Sequence, residues 1–183
     1  MAVVAFDALG TLFDLGDLED RMPRVLQHAL SLTVLGTWEP LDELAAAIDP
    51  ELAEHLPELD AYDDAVPALE SVRQAGGEAW VLTNGSRAAT EALLRRGGMG
   101  GLITRIHSAE EVERYKPHPR VYELLPTDAT LVAAHAWDVA GAGHAGLRAI
   151  WISRAEQPWP FGGEPHEPRA STLLDAARLA SRT

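Results

Sequence analysis

Ala2-Val3-Val4-Ala5-Phe6-Asp7-Ala8-Leu9-Gly10-Thr11-Leu12-Phe13-Asp14 is the stretch on which the fold turns. Five apolar residues in a row predict a strand buried on both faces, as strands of parallel sheets are. Asp7 falls where that strand gives way to a glycine-containing loop, the edge at which open α/β sheets place their chemistry. Two readings of Asp7 fit this segment alone. It caps a turn, a common use of Asp, or it is a functional carboxylate, since a charge at a buried strand end is otherwise costly.

Outward from this segment, strand and helix signals alternate. Glu78–Thr83 predicts a second strand broken by Asn84-Gly85-Ser86, and Arg87–Arg96 predicts a helix stopped by Gly97-Gly98. Residues 102–107 predict a weaker strand and 130–135 a fourth. A helix from near Asp138 to before Gly146 leads into a fifth strand over 147–153, with Ala149-Ile150-Trp151-Ile152 as its apolar centre. Residues 158–168, with four prolines and two glycines, predict an irregular crossing loop. Residues 170–181 predict an amphipathic helix with Leu173, Leu174, Ala177 and Ala180 on one side. This order implies an α/β fold, a doubly wound parallel sheet with helices on both faces. Only residues 15–59 break the rhythm. Met22–Leu35, Leu41–Ile48 and residues 50–56 carry apolar residues at helical spacing, so a small helical cap inserted after the first strand is expected, with the core at 1–14 and 60–183.

Composition narrows the function. A chain of 183 residues, 46% hydrophobic, buries a core of its own. A net charge of -13 disfavours nucleic-acid backbones and anionic membranes, while a local cationic pocket still suits a small anionic organic substrate. The absence of cysteine excludes disulfides, thiolate catalysis and Cys-type zinc sites. No apolar run approaches the roughly 20 residues of a membrane span and no signal-peptide pattern opens the chain, so a soluble cytoplasmic protein is expected. Of 15 basic residues only Lys116 is lysine. It lies in Arg114-Tyr115-Lys116-Pro117-His118-Pro119, a proline-stiffened loop ahead of a helix start, which argues against a surface filler.

The strand ends can then be set side by side. The first ends at Asp7, the second at Thr83-Asn84, the fourth near His135 and Asp138, and Lys116 precedes a helix between the third and fourth. All converge on the carboxyl edge of one parallel sheet. Turn roles explain single members, Asn84-Gly85 for example. They explain the joint arrangement poorly, and covalent catalysis by Asp7 explains it well.

Phe6-Asp7-Ala8-Leu9-Gly10-Thr11-Leu12-Phe13-Asp14, Leu82-Thr83-Asn84-Gly85-Ser86, Tyr115-Lys116-Pro117 with Tyr122, and Ala136-Trp137-Asp138-Val139-Ala140-Gly141-Ala142 resemble, in order, the four motifs of the haloacid dehalogenase superfamily. The Trp-Asp-x-x-Gly-Ala pattern and the Lys-to-Tyr spacing are most similar to its 2-haloacid dehalogenase branch. The resemblance implies a Rossmann-like core, an inserted cap, an Asp7 nucleophile that forms an ester, and no cofactor. It further implies Lys116 and Asp138 as catalytic residues. Lys116 orients Asp7 and keeps it anionic through a charge-assisted hydrogen bond. Asp138 positions Lys116 or the hydrolytic water, against a plain helix N-cap. Thr11, Thr83 and Asn84 hold the nucleophile or the substrate carboxylate, Tyr122 lines the pocket or packs, and Arg24, with Gln27 three residues on, is the cap arginine that engages the halide, with Arg21 as competitor.

Several positions set the reaction class. Superfamily phosphatases carry a second Asp two residues after the nucleophile, where this chain has Leu9, and leucine can neither give nor take a proton. They also hold Mg²⁺ with an acidic residue where this chain has Ala133, which leaves Asp7 and the more distant Asp138 as a thin oxygen set. A halide leaving group needs no proton, so Leu9 favours dehalogenation. Ala133 and His135 replace the serine and asparagine typical of the dehalogenase branch; His135 reads either as a base or as a hydrogen-bonded residue at the sheet edge. The cap of roughly 45 residues is short for the branch, so an open site or a homodimer whose second subunit completes the lid is expected. Trp38, Leu41 and Leu44 read as cap core or as part of that interface. Two alternatives stand beside the dehalogenase: a Mg²⁺-dependent phosphatase and a non-catalytic binding protein on the same scaffold.

Overall fold

A computed structural model describes residues 1–154, 159–162 and 168–182. Six strands, β1 (Val3–Phe6), β2 (Glu78–Thr83), β3 (Ile103–Ser108), β4 (Thr130–Ala133), β5 (Arg148–Ile152) and β6 (Arg169–Ala170), form one sheet in the order β3-β2-β1-β4-β5-β6. Every neighbouring pair is parallel. Helices α1 (Met22–Leu35), α2 (Leu41–Ile48), α3 (Pro50–His55) and α4 (Ala65–Gln74) lie between β1 and β2. Helix α5 (Arg87–Arg96) follows β2, α6 (Pro119–Tyr122) and α7 (Ala136–His144) flank β4, and α8 (Leu173–Ala180) follows β6.

Because strand side chains alternate between faces, the sheet separates two apolar clusters. Val4, Phe6, Val81 and Val132 point to one, together with Leu69 of α4, Leu94 of α5 and Leu173 of α8. Val3, Ala5, Leu82 and Leu131 point to the other, with Val121 of α6 and Val139 of α7. Both faces are therefore covered, which is why β1 reads as an unbroken apolar run and β4 is apolar after Thr130. Val25, Leu41, Leu44 and Leu52 of α1–α3 join the first cluster. The ends of segment 15–59 lie side by side, since Asp14 N donates to Asp60 O at 2.9 Å and Tyr62 N to Leu12 O at 3.0 Å.

The chain winds outward from β1 through β2 to β3, then lays β4 on the other flank of β1. The strand order thus reverses between β1 and β4, and a crevice opens there beyond their carboxyl ends. Asp7 N donates to Val132 O at 3.0 Å, which puts Asp7 at the mouth of that crevice.

Three details differ from the sequence reading. Helix α4 was not anticipated; Pro67 lies in its first turn, where a missing N–H leaves no bond unmade. Helix α7 begins at Ala136 rather than near Asp138, so Asp138 lies inside the first turn and its side chain is free for tertiary contacts. The C-terminal helix begins at Leu173, because Arg169 and Ala170 pair with Trp151 and Ile152 as a sixth strand. The loop expected over 158–168 lies largely outside the described residues. Among the described residues no helix is long and apolar enough to cross a membrane.

Candidate active site

Lys116 is the centre of the crevice. Its side chain is fully buried, and Nζ donates to Asp7 Oδ1 at 2.7 Å, to Asp138 Oδ2 at 2.6 Å and to Leu82 O at 3.0 Å. Three short acceptors satisfy all three protons of the ammonium. The loop carrying Lys116 is anchored from both sides. Lys116 N donates to Asn84 Oδ1 at 2.8 Å, Tyr115 N donates to Thr33 Oγ1 at 3.0 Å, and Tyr115 OH donates to Glu39 O at 2.6 Å. Trp38 stacks on the Tyr115 ring with centroids 4.5 Å apart, so it joins the α1–α2 segment to this loop.

Asp138 and Tyr122 fix the far side of the lysine. Tyr122 OH donates to Asp138 Oδ1 at 2.7 Å, so both carboxylate oxygens have short donors. The fit requires Gly141, where a Cβ would stand 2.5 Å from Tyr122 OH and 2.6 Å from Pro117 Cβ. Thr11 steadies the near side: its Oγ1 donates to Asp7 Oδ2 at 3.1 Å and accepts from Ala134 N at 3.0 Å.

His135 closes the set. Its Nδ1 is 3.6 Å from Asp7 Oδ2 and its Nε2 is 3.7 Å from Glu19 Oε1, distances of ion pairs rather than of hydrogen bonds. The ring lies along Trp137, with centroids 5.4 Å apart. Gly10, at φ +77°, leaves it room, since a Cβ there would stand 2.5 Å from His135 Cε1. His135 Nδ1 and Asn84 Nδ2 are buried without a hydrogen-bond partner among the described residues. Such groups are costly to bury empty-handed, and both belong to residues lining the cavity at Asp7 together with Leu9, Thr83, Leu15, Met22 and Trp137.

The charges follow from these neighbours. Burial pushes the Asp7 carboxyl up, but the Lys116 charge and the His135 imidazole outweigh it and hold it at about 2. Burial lowers Lys116, and the two carboxylates reverse this, so it stays charged with its pKa raised. Burial raises Asp138; Lys116 opposes this only in part, and the Asp7 charge adds to the rise. Burial lowers His135, yet Asp7 and Glu19 carry it up to about 10. The crevice therefore holds a buried carboxylate kept anionic between two cations.

Of the residues singled out in the sequence, Asp7, Leu9, Thr11, Thr83, Asn84, Lys116, Tyr122, His135 and Asp138 meet in or directly behind the crevice. Arg24 does not. Met22, Val25 and Ala29 of α1 face inward, so the helical period turns Arg24 outward to solvent. Arg21 is drawn off to Asp49 and Glu51 around the start of α3. Nothing in the local pattern marks Glu19, an acid in a loop, or Tyr115 as an anchor.

Asp7 and Asp138 do not fit Mg²⁺. Lys116 Nζ stands between them, and both oxygens of the fully buried Asp138 are taken by Lys116 and Tyr122. Among the described residues no group of three or more His, Asp or Glu side chains is placed to hold a metal ion.

Carboxylate, lysine and carboxylate thus meet, buried, at the switch point of a doubly wound parallel sheet, a site equipped for hydrolase chemistry on a Rossmann-like α/β core. A family model described as haloacid dehalogenase-like hydrolase matches residues 35–151, more than half of the chain, and the protein belongs to that family. The chain is 27% identical to (S)-2-haloacid dehalogenase 1 of Pseudomonas sp. (strain CBS-3), over 97% of this chain and 95% of the relative. It is 26% identical to (S)-2-haloacid dehalogenase 4A of Burkholderia cepacia, over 96% and 83% of the two chains. Its fold matches the L-2-haloacid dehalogenase of Xanthobacter autotrophicus with chloropropionic acid covalently bound, at a TM-score of 0.84 and 20% identity over the whole of both chains.

Proposed function

We propose that the protein is a dehalogenase that releases halide from small 2-haloacids through an ester on Asp7, without a metal. One observation carries this reading: Asp7 is held anionic by Lys116 in an apolar crevice, with Leu9 where a leaving oxygen would need its proton donor. Relatives named (S)-2-haloacid dehalogenases support it. The domain reading, with 15–59 as cap over a core of 1–14 and 60–183, belongs to the same proposal, as does a cytoplasmic enzyme.

Asp7 Oδ2, with Thr11 as its one short donor, attacks the halogen-bearing carbon. The C–O bond forms as the carbon–halogen bond breaks, and halide leaves with the electron pair. Asn84 Nδ2, oriented by the bond from Lys116 N to its carbonyl oxygen, binds the substrate carboxylate. The protonated His135 supplies positive charge in place of a cap arginine. Water then attacks the Asp7 ester carbonyl, which gives the 2-hydroxyacid and returns the carboxylate.

His135 also serves this second step. Esterification removes the negative charge of Asp7, one of the two carboxylates that hold the imidazolium proton, so the imidazole pKa falls. The Nδ1 proton, on the side of Asp7, passes to solvent water while Nε2–H stays directed at Glu19, and the freed Nδ1 lone pair accepts a proton from the attacking water.

The test is halide release from (S)-2-bromopropionate with and without chelator, run over many turnovers in H₂¹⁸O. Chelator-resistant release with ¹⁸O in the Asp7 peptide is the expected outcome. Metal-dependent cleavage of phosphate esters with no halide release refutes the proposal.

A further inference from the structure

Beyond Asp7 lies a second, larger cavity of about 180 Å³, bounded by α2, α3 and α5. Leu41, Ala45, Ala53, Leu56, Ala89 and Leu93 give it an apolar wall. Leu9 and Leu41 line both this cavity and the one at Asp7, so the two chambers share a partition of two side chains. The chamber at Asp7 is only about 30 Å³, room for one or two waters. A third cavity, of about 360 Å³, adjoins it on the other side through Met22, Leu26, His135 and Trp137 and carries Glu19 and Lys116 in its wall. An apolar cavity of about 150 Å³ takes up benzene, so the second chamber has space for a hydrocarbon group of that size.

We propose that this chamber receives the hydrocarbon tail of the substrate, which makes the preferred substrate a medium-chain 2-haloalkanoate rather than a two- or three-carbon haloacid. The inference rests on the dehalogenase reading of Asp7 and deepens it. Leu9, in this view, is a specificity residue, since its side chain lines both the chamber of the reacting carbon and that of the tail. The charged group on the wall, Asp42, is exposed and accepts from Ser86 Oγ at 2.6 Å.

The experiment has a turnover arm and a binding arm. In the first, halide release is measured for 2-bromoalkanoates of three to eight carbons. Burial of each methylene is expected to raise kcat/KM about fourfold until the chamber is full. In the second, calorimetry measures binding of unhalogenated straight-chain carboxylates of the same lengths. Ala53→Phe, which fills the chamber from α3, is expected to abolish the chain-length gain in both arms while leaving turnover of the three-carbon substrate within twofold. Ala89→Leu fills it from α5 and guards against a folding defect in the first variant. Turnover of 2-bromopropionate with no gain along the series, or a gain that survives both variants, overturns the tail chamber and leaves the dehalogenase reading standing. Absence of halide release at every length overturns the dehalogenase reading. In that case binding that strengthens with length and is lost in both variants still upholds the chamber as a carboxylate-tail site, and flat binding overturns it.

Discussion

Replacing Lys116 by Met removes the ammonium and keeps the length of the stem, so the loss is electrostatic rather than a cavity. The substitution breaks bonds of 2.7 Å to Asp7, 2.6 Å to Asp138 and 3.0 Å to Leu82 O, and leaves two buried carboxyl groups without their shared counter-charge. Breaking a buried ion pair from one side costs about 3–5 kcal/mol. At about 2–4 °C per kcal/mol for a chain of this size, Tm at pH 7 is expected to fall by roughly 10 °C. The pH dependence gives a sharper check. In the parent protein Asp7 sits at about 2 against an ordinary 3.8, so it contributes about 2 kcal/mol of stability, fully present above pH 3.8 and lost as pH falls to 2. Without Lys116, burial dominates at both carboxyl groups and raises their folded pKa. A raised carboxyl pKa means that the native state binds more protons than the unfolded one, so the penalty is absent at low pH and grows as pH rises. Urea unfolding of Lys116→Met against the parent should therefore show the smallest gap near pH 4 and a widening gap toward pH 7. A gap below about 1 kcal/mol, or one that does not change with pH, refutes the central place given to Lys116.

Four further outcomes are expected. Asp7→Asn abolishes halide release while thermal unfolding still reports a folded protein, because the amide cannot form the ester. Gly141→Ala costs about 1–3 kcal/mol in urea unfolding, since the new methyl group collides with Tyr122 OH and Pro117. His135→Asn slows ester hydrolysis more than ester formation, so rapid-quench mass spectrometry finds the substrate adduct accumulating on Asp7. The stability His135 brings by being charged is present below pH 6.5 and lost as pH rises through about 10, so this variant should lose the alkaline limb of the parent's unfolding profile. Arg24→Ala leaves halide release within twofold, because that side chain faces solvent.

Much of the fold was legible because its signals are local. A run of buried strand residues, a helix stopped by Gly97-Gly98 and the apolar spacing of Met22–Leu35 depend on neighbours in sequence, and each element stands where those signals put it. Helix α4 is hidden in the sequence because an acidic stretch before it and Pro67 within it look like loop, although a first turn tolerates both. At the site, Asp7, Thr83-Asn84, Lys116 and Asp138 stood out because each is polar at a strand end or in a stiff loop. The parallel order of the strands was enough to bring them to one edge.

What the sequence could not decide is which atoms meet. Whether Asp138 caps a helix or binds Lys116 depends on where α7 begins, a matter of two residues. Arg24 and Arg21 look equivalent along the chain, and only the rotation of α1 against the core sends the one to solvent and lets the other reach Asp49. His135 becomes charged through Glu19 and Asp7, two carboxylates distant in sequence and brought together by the returning chain. Local pattern thus determined the elements and the type of chemistry, because backbone propensity and burial act over a few residues. The tertiary structure alone decided the charge states and the cavities that surround Asp7, because electrostatics and cavity shape depend on distances across the fold.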